Sequence, residues 1–396
     1  MQTVLAGKRV LDLTQNVAGP YCTQILGDLG AEVIKIERPL TGDDARAWTP
    51  PEWSGQSPTF LALNRNKRSL CVNLDDPEGQ QVVAQLARSC DVVVHSMKPG
   101  SAESRALGYE DLRQGHGRLV YCAISAFGQV GPLRGLPGYD PLMQAFTGIM
   151  SVTGNEGDAP ARVSVSLIDM GTGMWAAMGI LAAMLEVERS GKGANVTTSL
   201  LETGVAWMTI FVANFQASGR LPMRLGSGMT MMTPYEAFPA ADGHVFIAAG
   251  NDRLFGQVCR GLGLDALADD PRFATNPARV LNRQELRIAL ESATTRLPAA
   301  EIVRRLQALG APCSEMHDVA QMLDHEQVAA VGIVQKLPIE AGDDHRVLGL
   351  PFSLDGSRSS DHTAPPALGS ATDDLLAEAG YSRATIDHLR RRGAIG

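Results

Sequence analysis

The hydrophobic pattern along the first third of the chain switches repeatedly between two periods. Arg9-Val-Leu-Asp-Leu-Thr14 is an almost continuous apolar run, the mark of a buried strand, and a turn follows at Gly19-Pro20. Tyr21 to Leu29 has helical spacing closed by Gly30, and Ala31-Glu-Val-Ile-Lys-Ile-Glu37 alternates as a second strand. This is a βαβ unit with the expected right-handed crossover. No GxGxxG follows the first strand, so the dinucleotide fingerprint is missing. The pattern then recurs: strand at Ser69–Leu74, helix at Asp76–Arg88, strand at Asp91–His95, helix near Tyr109–Gln114, strand at Arg118–Ser125. Strands alternating with helices predict an α/β fold with a doubly wound, mostly parallel sheet. Ligands of such sheets lie beyond the carboxyl ends of the strands, here near residues 14–20, 37–39, 95–100 and 125–132.

Further along, Arg162-Val-Ser-Val-Ser-Leu-Ile-Asp169 reads as an apolar strand ending on one carboxylate. Gly171-Thr-Gly173 follows it, and then a buried-looking helix through Leu185. On its own, Asp169 at that junction is most simply a helix cap. Val196 to Phe215 reads as one long helix, and residues 201–230 as a connector into the loop Gly219–Gly228. Residues 231–330 form a second, smaller α+β domain, with a hairpin turning at Asp242-Gly243 and helices at Leu254–Leu262, Arg283–Leu297 and Ala299–Leu309. Residues 346–353 read as extended, and Thr372–Arg391 as two short helices.

Composition narrows the function classes. The 396 residues are 44% apolar and 20% charged, enough for two globular domains. A net charge of −8 disfavours nucleic acid and anionic membranes as partners. No run of eighteen apolar residues occurs, and the first residues lack the basic start and apolar stretch of a signal peptide, so a cytoplasmic location is expected. The six cysteines contain no CxxC pair and read as reduced thiols. The eight histidines show no ligand spacing, and HExxH, GxSxG and Walker sequences are missing, so no metal is expected; His317, His325 and His345 read as surface residues.

Four collinear motifs carry a family resemblance. They are Val10-Leu-Asp-Leu-Thr…Ala18-Gly-Pro…Leu26-Gly-Asp-Leu-Gly-Ala-Glu-Val-Ile-Lys-Ile-Glu-Arg38-Pro, Asn64-Arg-Asn-Lys-Arg-Ser-Leu, Ser125-Ala-Phe-Gly…Pro137-Gly-Tyr-Asp140 and Asp169-Met-Gly-Thr-Gly173. Together they resemble the class III CoA-transferases, whose relatives include racemases of 2-methylacyl-CoA esters. The resemblance implies a large Rossmann-like CoA-binding domain over 1–200 completed by 335–396, and an interlocked, ring-shaped homodimer. It implies acyl-CoA thioesters and small carboxylates as substrates, with no permanently bound cofactor. Asp169 matches the catalytic aspartate, which attacks the donor thioester and then carries CoA as an aspartyl thioester. Gln15, Asn16, Val17 and Ala18 match the loop that faces the thioester oxygen, and Gly226, Ser227 and Gly228 match a glycine-rich lid. Arg38, Lys67, Arg68, Ser96, Met97 and Arg105 match positions that hold CoA.

The departures are informative. Formyl-CoA transferase carries a glutamine where Val17 stands, and its lid is a longer run of glycines. Both differences argue against oxalate and toward a short dicarboxylate acceptor, with succinyl-CoA as donor. The racemases carry a histidine at Tyr139, and a phenol of ordinary pKa about 10 is a poor base at neutral pH, so transfer is favoured over α-proton exchange. A racemase or isomerase, and a noncatalytic CoA-binding module, are the alternative readings.

Overall fold

The computed structural model describes residues 4–337 and 345–396. Residues 1–3 and 338–344, which fall in the N-terminal stretch and in the segment 335–396, lie outside the described residues. The chain divides into two compact units: residues 1–147, 164–209 and 327–396 form the first, and residues 148–163 with 210–326 the second.

The first unit is built on six parallel strands: β1 (Arg9–Leu13), β2 (Glu32–Glu37), β3 (Lys67–Cys71), β4 (Val92–His95), β5 (Val120–Ser125) and β6 (Ala194–Ser199). Their order across the sheet is β3-β2-β1-β4-β5-β6, all neighbours parallel. The direction of winding therefore reverses between β1 and β4, where a doubly wound sheet opens a crevice at its carboxyl edge. The helices in chain order are α1 (Ala18–Asp28), α2 (Pro58–Leu63), α3 (Pro77–Ala87), α4 (Tyr109–Leu112), α5 (Asp140–Phe146), α6 (Ile149–Val152, in the second unit), α7 (Leu167–Ser190) and α8 (Leu200–Trp207).

Local chemistry accounts for the helix ends. Asp76 caps α3 through its side chain, with Pro77 at the first position, and Gly30 follows α1 at φ +104, a conformation that a Cβ disfavours. One sheet face buries Leu11, Leu13, Ile34, Ile36 and Leu70 against Val82, Val83 and Leu86 of α3 and Leu375, Leu376, Ile386 and Leu389 of the two C-terminal helices. Each such side chain contributes about 1.5–3 kcal/mol on removal from water. The other face carries charge. Asp12 pairs in register with Lys35, and Lys35 with Ser69, and all three are fully buried.

Two sequence expectations are overturned here. Residues 162–166 form no strand: α7 starts at Leu167 and places Asp169 in its first turn. The period-two spacing of Val163 and Val165 has no strand to pair with, because β6 occupies the edge beside β5, and Val165 is exposed. The supposed helix from Val196 is instead β6, then α8 and a separate helix at Thr209–Ser218. The β-branched run Val196-Thr-Thr198 was the available signal. In addition, α7 is long and apolar enough to cross a membrane by length and composition, although no run of eighteen apolar residues exists. Its buried face packs on α1, β5 and β6.

The second unit has its own core. The antiparallel strands β7 (Tyr235–Pro239), β8 (His244–Ala248) and β9 (Cys313–Glu315) bury Phe238, Val245 and Ile247 against Phe255, Val258, Leu286, Leu290, Ile302 and Leu306 of the surrounding helices.

The contact between α1 and α7 is set by a glycine. A Cβ on Gly173 would lie 2.5 Å from the Ala18 carbonyl oxygen and 3.2 Å from the Cys22 nitrogen. Alanine is the better helix former, yet here it would force two backbones apart. Gly173→Ala is expected to destabilise the fold by about 1–3 kcal/mol. A thermal melt unchanged or raised by this substitution would contradict the packing described.

Candidate active site

The carboxyl ends of β1, β4 and β5 surround a cleft of about 220 Å³. Asp169 lines it, together with Gln15, Asn16, Val17 and Ala18 after β1, Ser96 and Met97 after β4, Tyr139, Trp48 and Leu200. A second cleft of about 810 Å³ lies beside it, lined by Arg38, Lys98 and Arg105 as its cations and by Glu37, Asp75, Asn73, Leu74 and Thr41 among others. Gln15, Asn16, Ser96, Met97 and Lys98 line both clefts, so they share one wall.

Asp169 owes its placement to Asp140. Ser166 precedes α7 but makes no side-chain cap. Instead, Asp140 Oδ2 accepts the backbone N–H of Ile168 at 2.7 Å and of Asp169 at 3.1 Å, while Oδ1 accepts Gln144 Nε2 at 2.6 Å. A carboxylate at a helix amino end is favoured by the N–H groups that lack partners there. Asp140 is buried, so this cap comes from α5 rather than from the residues next to α7. The Asp169 carboxyl itself is pushed up to about 7, first by burial and then by the negative charge of Asp140.

Facing Asp169, α1 begins with no help from side chains. Its N-cap is Val17, which has no side-chain acceptor, and its first turn holds no acidic residue. The backbone donors at Ala18 and Gly19 therefore stand at the cleft, which both residues line. Asn16 sits at φ +69, a left-handed conformation uncommon outside glycine.

The other expected residues separate into two groups. Arg38 and Arg105 reach the larger cleft: Arg38 pairs with Asp44, and Arg105 pairs with Asp75 at 2.7 Å. Ser96 accepts the Gln15 N–H through its hydroxyl at 3.1 Å, and Met97 packs partly on the core. Tyr139 is exposed on the smaller cleft. Lys67 and Arg68 require correction, because both sit at the amino end of β3, opposite the ligand edge. Lys67 is buried and donates to Asp12, to the Pro20 carbonyl and to Asn64, while Arg68 pairs with Glu32 and Glu378. Arg46 is held by both oxygens of Glu37. His345, expected on the surface, is buried against the Trp53 ring.

Gly226, Ser227 and Gly228 belong to the second unit. The chain they enter is pinned: Arg283 donates to the Met229, Thr230 and Met232 carbonyls, Asn276 to that of Met231, and Arg279 to that of Thr233. Such a segment is a clamped loop rather than a free glycine lid. The motif search missed Asp140, Trp48 and Lys98. Asp140 stood inside a quoted motif, but its role depends on a contact 28 residues away in sequence.

The sequence profile of CoA-transferase family III matches residues 5–372. The chain belongs to the class III CoA-transferases. It is 37% identical to the succinyl-CoA:glutarate CoA-transferase of Mus musculus over 99% of this chain and 90% of that protein. It is 38% identical to the acetyl-CoA:oxalate CoA-transferase of Acetobacter aceti over 83% and 85% of the two chains. The crystal structure of a CaiB/BaiF family protein from Brucella suis superposes with a TM-score of 0.84 at 34% identity, over 95% of this chain and 99% of that one. CoA thioesters are the substrates of class III CoA-transferases, and three cations line the larger cleft.

The charge arrangement predicts the pH response of this CoA-transferase. An aspartate nucleophile reacts as its carboxylate, so turnover that depends on Asp169 should rise as pH increases through about 7. In Asp140→Asn the amide oxygen still accepts the helix N–H groups, but the repelling charge is gone. The rising limb should then move to lower pH, part of the way only, since burial continues to hold the carboxyl up. Rate–pH profiles of the two proteins check this, and an unmoved limb would refute the assignment of Asp140.

Proposed function

We propose that this CoA-transferase moves CoA from a short-chain acyl-CoA, succinyl-CoA foremost, to a short dicarboxylic acid through covalent intermediates on Asp169. The observation that carries the reading is a half-buried carboxylate facing the uncapped start of α1 across a cleft that shares a wall with a cation-lined one.

The steps follow from that placement. An Asp169 oxygen attacks the thioester carbon, the C–S bond breaks, and CoA leaves as a thiolate with a mixed anhydride behind it. Negative charge gathers on the former carbonyl oxygen, where the free N–H groups of α1 can meet it. The thiolate attacks the aspartyl carbonyl, the anhydride C–O bond breaks, and the donor acid departs as its carboxylate. The acceptor carboxylate then attacks the aspartyl thioester and expels the thiolate again. Finally the thiolate takes the acceptor's acyl group, and Asp169 is regenerated as a carboxylate. No proton is gained or lost in the sequence, which suits a site without a basic histidine on its wall.

A dicarboxylate acceptor is supported by the names of relatives of similar identity, which carry glutarate in one case and oxalate in another. A panel of mono- and dicarboxylic acids incubated with succinyl-CoA or acetyl-CoA, read by mass spectrometry, tests the preference. Transfer to monocarboxylates alone would reject it. Asp169→Ala and Asp169→Asn should fold and lose at least about 1,000-fold in turnover, and hydroxylamine should trap only the wild type given acyl-CoA. Wild-type turnover in Asp169→Ala would end the nucleophile reading.

The same reading takes the working form as an interlocked homodimer. Met174, Trp175, Met178 and Leu185 of α7 are exposed, an apolar series that a second copy would cover. Sedimentation equilibrium should return twice the chain mass, and a monomer across micromolar concentrations would exclude this.

A further inference from the structure

We infer that the buried Lys35–Asp43 pair is a positioning device for the reaction, acting with Ser96 to fix the backbone of residues 14–16. The inference rests on the reading of Asp169 as the nucleophile. Three consecutive backbone groups are tied. The Thr14 carbonyl accepts Lys35 Nζ at 3.0 Å, the Gln15 N–H donates to Ser96 Oγ at 3.1 Å, and the Asn16 N–H donates to Asp43 Oδ1 at 2.9 Å. Lys35 and Asp43 are joined to one another at 2.8 Å, and both side chains are fully buried. The pair is anchored in turn, since the Asp43 N–H donates to Glu37 Oε2, and Glu37 Oε1 accepts the Ser69 hydroxyl of β3.

Neither Lys35 nor Asp43 lines either cleft, so neither can act by touching a substrate there. What they hold does line both: Gln15 and Asn16 stand in the shared wall, and the next residues lead into α1. Asn16 is kept at φ +69 between these ties, a conformation that a freed loop would leave. A loop released by a fraction of an ångström turns the α1 donors away from the oxygen of the acyl group whose carbon Asp169 attacks. Misplacement on that scale costs about 10- to 100-fold in rate.

A double-variant cycle separates positioning from plain stability. Lys35→Met and Asp43→Asn each leave a buried charge or dipole without its partner, so each should lower both Tm and kcat. The double variant Lys35→Met/Asp43→Asn removes the unpaired charge, and its Tm should recover toward the wild type. Its kcat should stay about 10- to 100-fold low, because the tie to the Thr14 carbonyl is still missing. Recovery of kcat in step with Tm would overturn the inference and leave the pair a structural one. Should the buried variants fail to fold, Ser96→Ala removes the Gln15 tie and leaves the buried pair intact, and kcat within twofold of wild type there would equally overturn it. Asp169→Ala run alongside keeps the two readings apart. If it retains turnover, the nucleophile assignment fails; if it is inactive while the double variant turns over normally, only the positioning role fails.

Discussion

A carboxylate bonded to the start of a helix organises this site. Asp140 accepts the first N–H groups of α7, a favourable arrangement for an anion, and in doing so sets the point at which α7 begins. That point decides which way Asp169 faces. The same charge, a few ångströms from the second carboxylate, raises the free energy of its ionised form. Structure and reactivity are thus coupled through one residue. A carboxylate that binds its proton unusually tightly is also a more basic and more reactive oxygen nucleophile once ionised, provided the cleft excludes competing water.

Beneath the site lies a second, larger electrostatic arrangement. Asp12, Lys35, Glu37 and Lys67 are buried on one face of the sheet with Asp43 of the following loop, where unpaired charges would cost several kcal/mol each. They are tolerated because every one has a partner. Asp12 accepts from Thr14, Thr23 and Lys67, while Glu37 accepts from Arg46, Ser69 and the Asp43 N–H. Hydrophobic residues of similar volume would serve stability as well or better. The geometry they would not supply is direction: a donor aimed at the Thr14 carbonyl and an acceptor at the Asn16 N–H of the loop after β1.

The sheet was legible in the sequence because its strands are short apolar runs between helices of clear period. The clefts lie at strand ends that the order of elements pointed to, near 14–20, 37–39, 95–100 and 125–132, while the strand order with its reversal between β1 and β4 came only from the structure. The burial of charge within the sheet was not legible, because a parallel sheet covered on both sides encloses Lys35 and Glu37 of an alternating strand. Lys67 matches a CoA-holding position in sequence yet is buried, since a lysine in a polar motif gives no sign of being turned inward. The stretch before Asp169 failed differently. Its apolar spacing satisfied a strand, and only the distant cap from Asp140 shows why a helix begins there. Asp169, Arg38, Arg105 and the loop 15–18, singled out by motif order, line the two clefts; the contacts of Asp140, Asp43 and Lys35 required three dimensions.

The division of the cleft walls has a consequence for how such an enzyme can change. Five residues serve both cavities, so altering them to reshape one reshapes the other as well. Trp48, Leu136, Tyr139 and Leu200 border the smaller cavity alone. Substitutions there are insulated from the larger cavity, and under the proposed function acid preference can drift through them while the handle common to all substrates stays intact. A scaffold partitioned in this way is evolvable in one direction and conservative in the other, with relatives that differ in the acid they accept and agree in what they transfer.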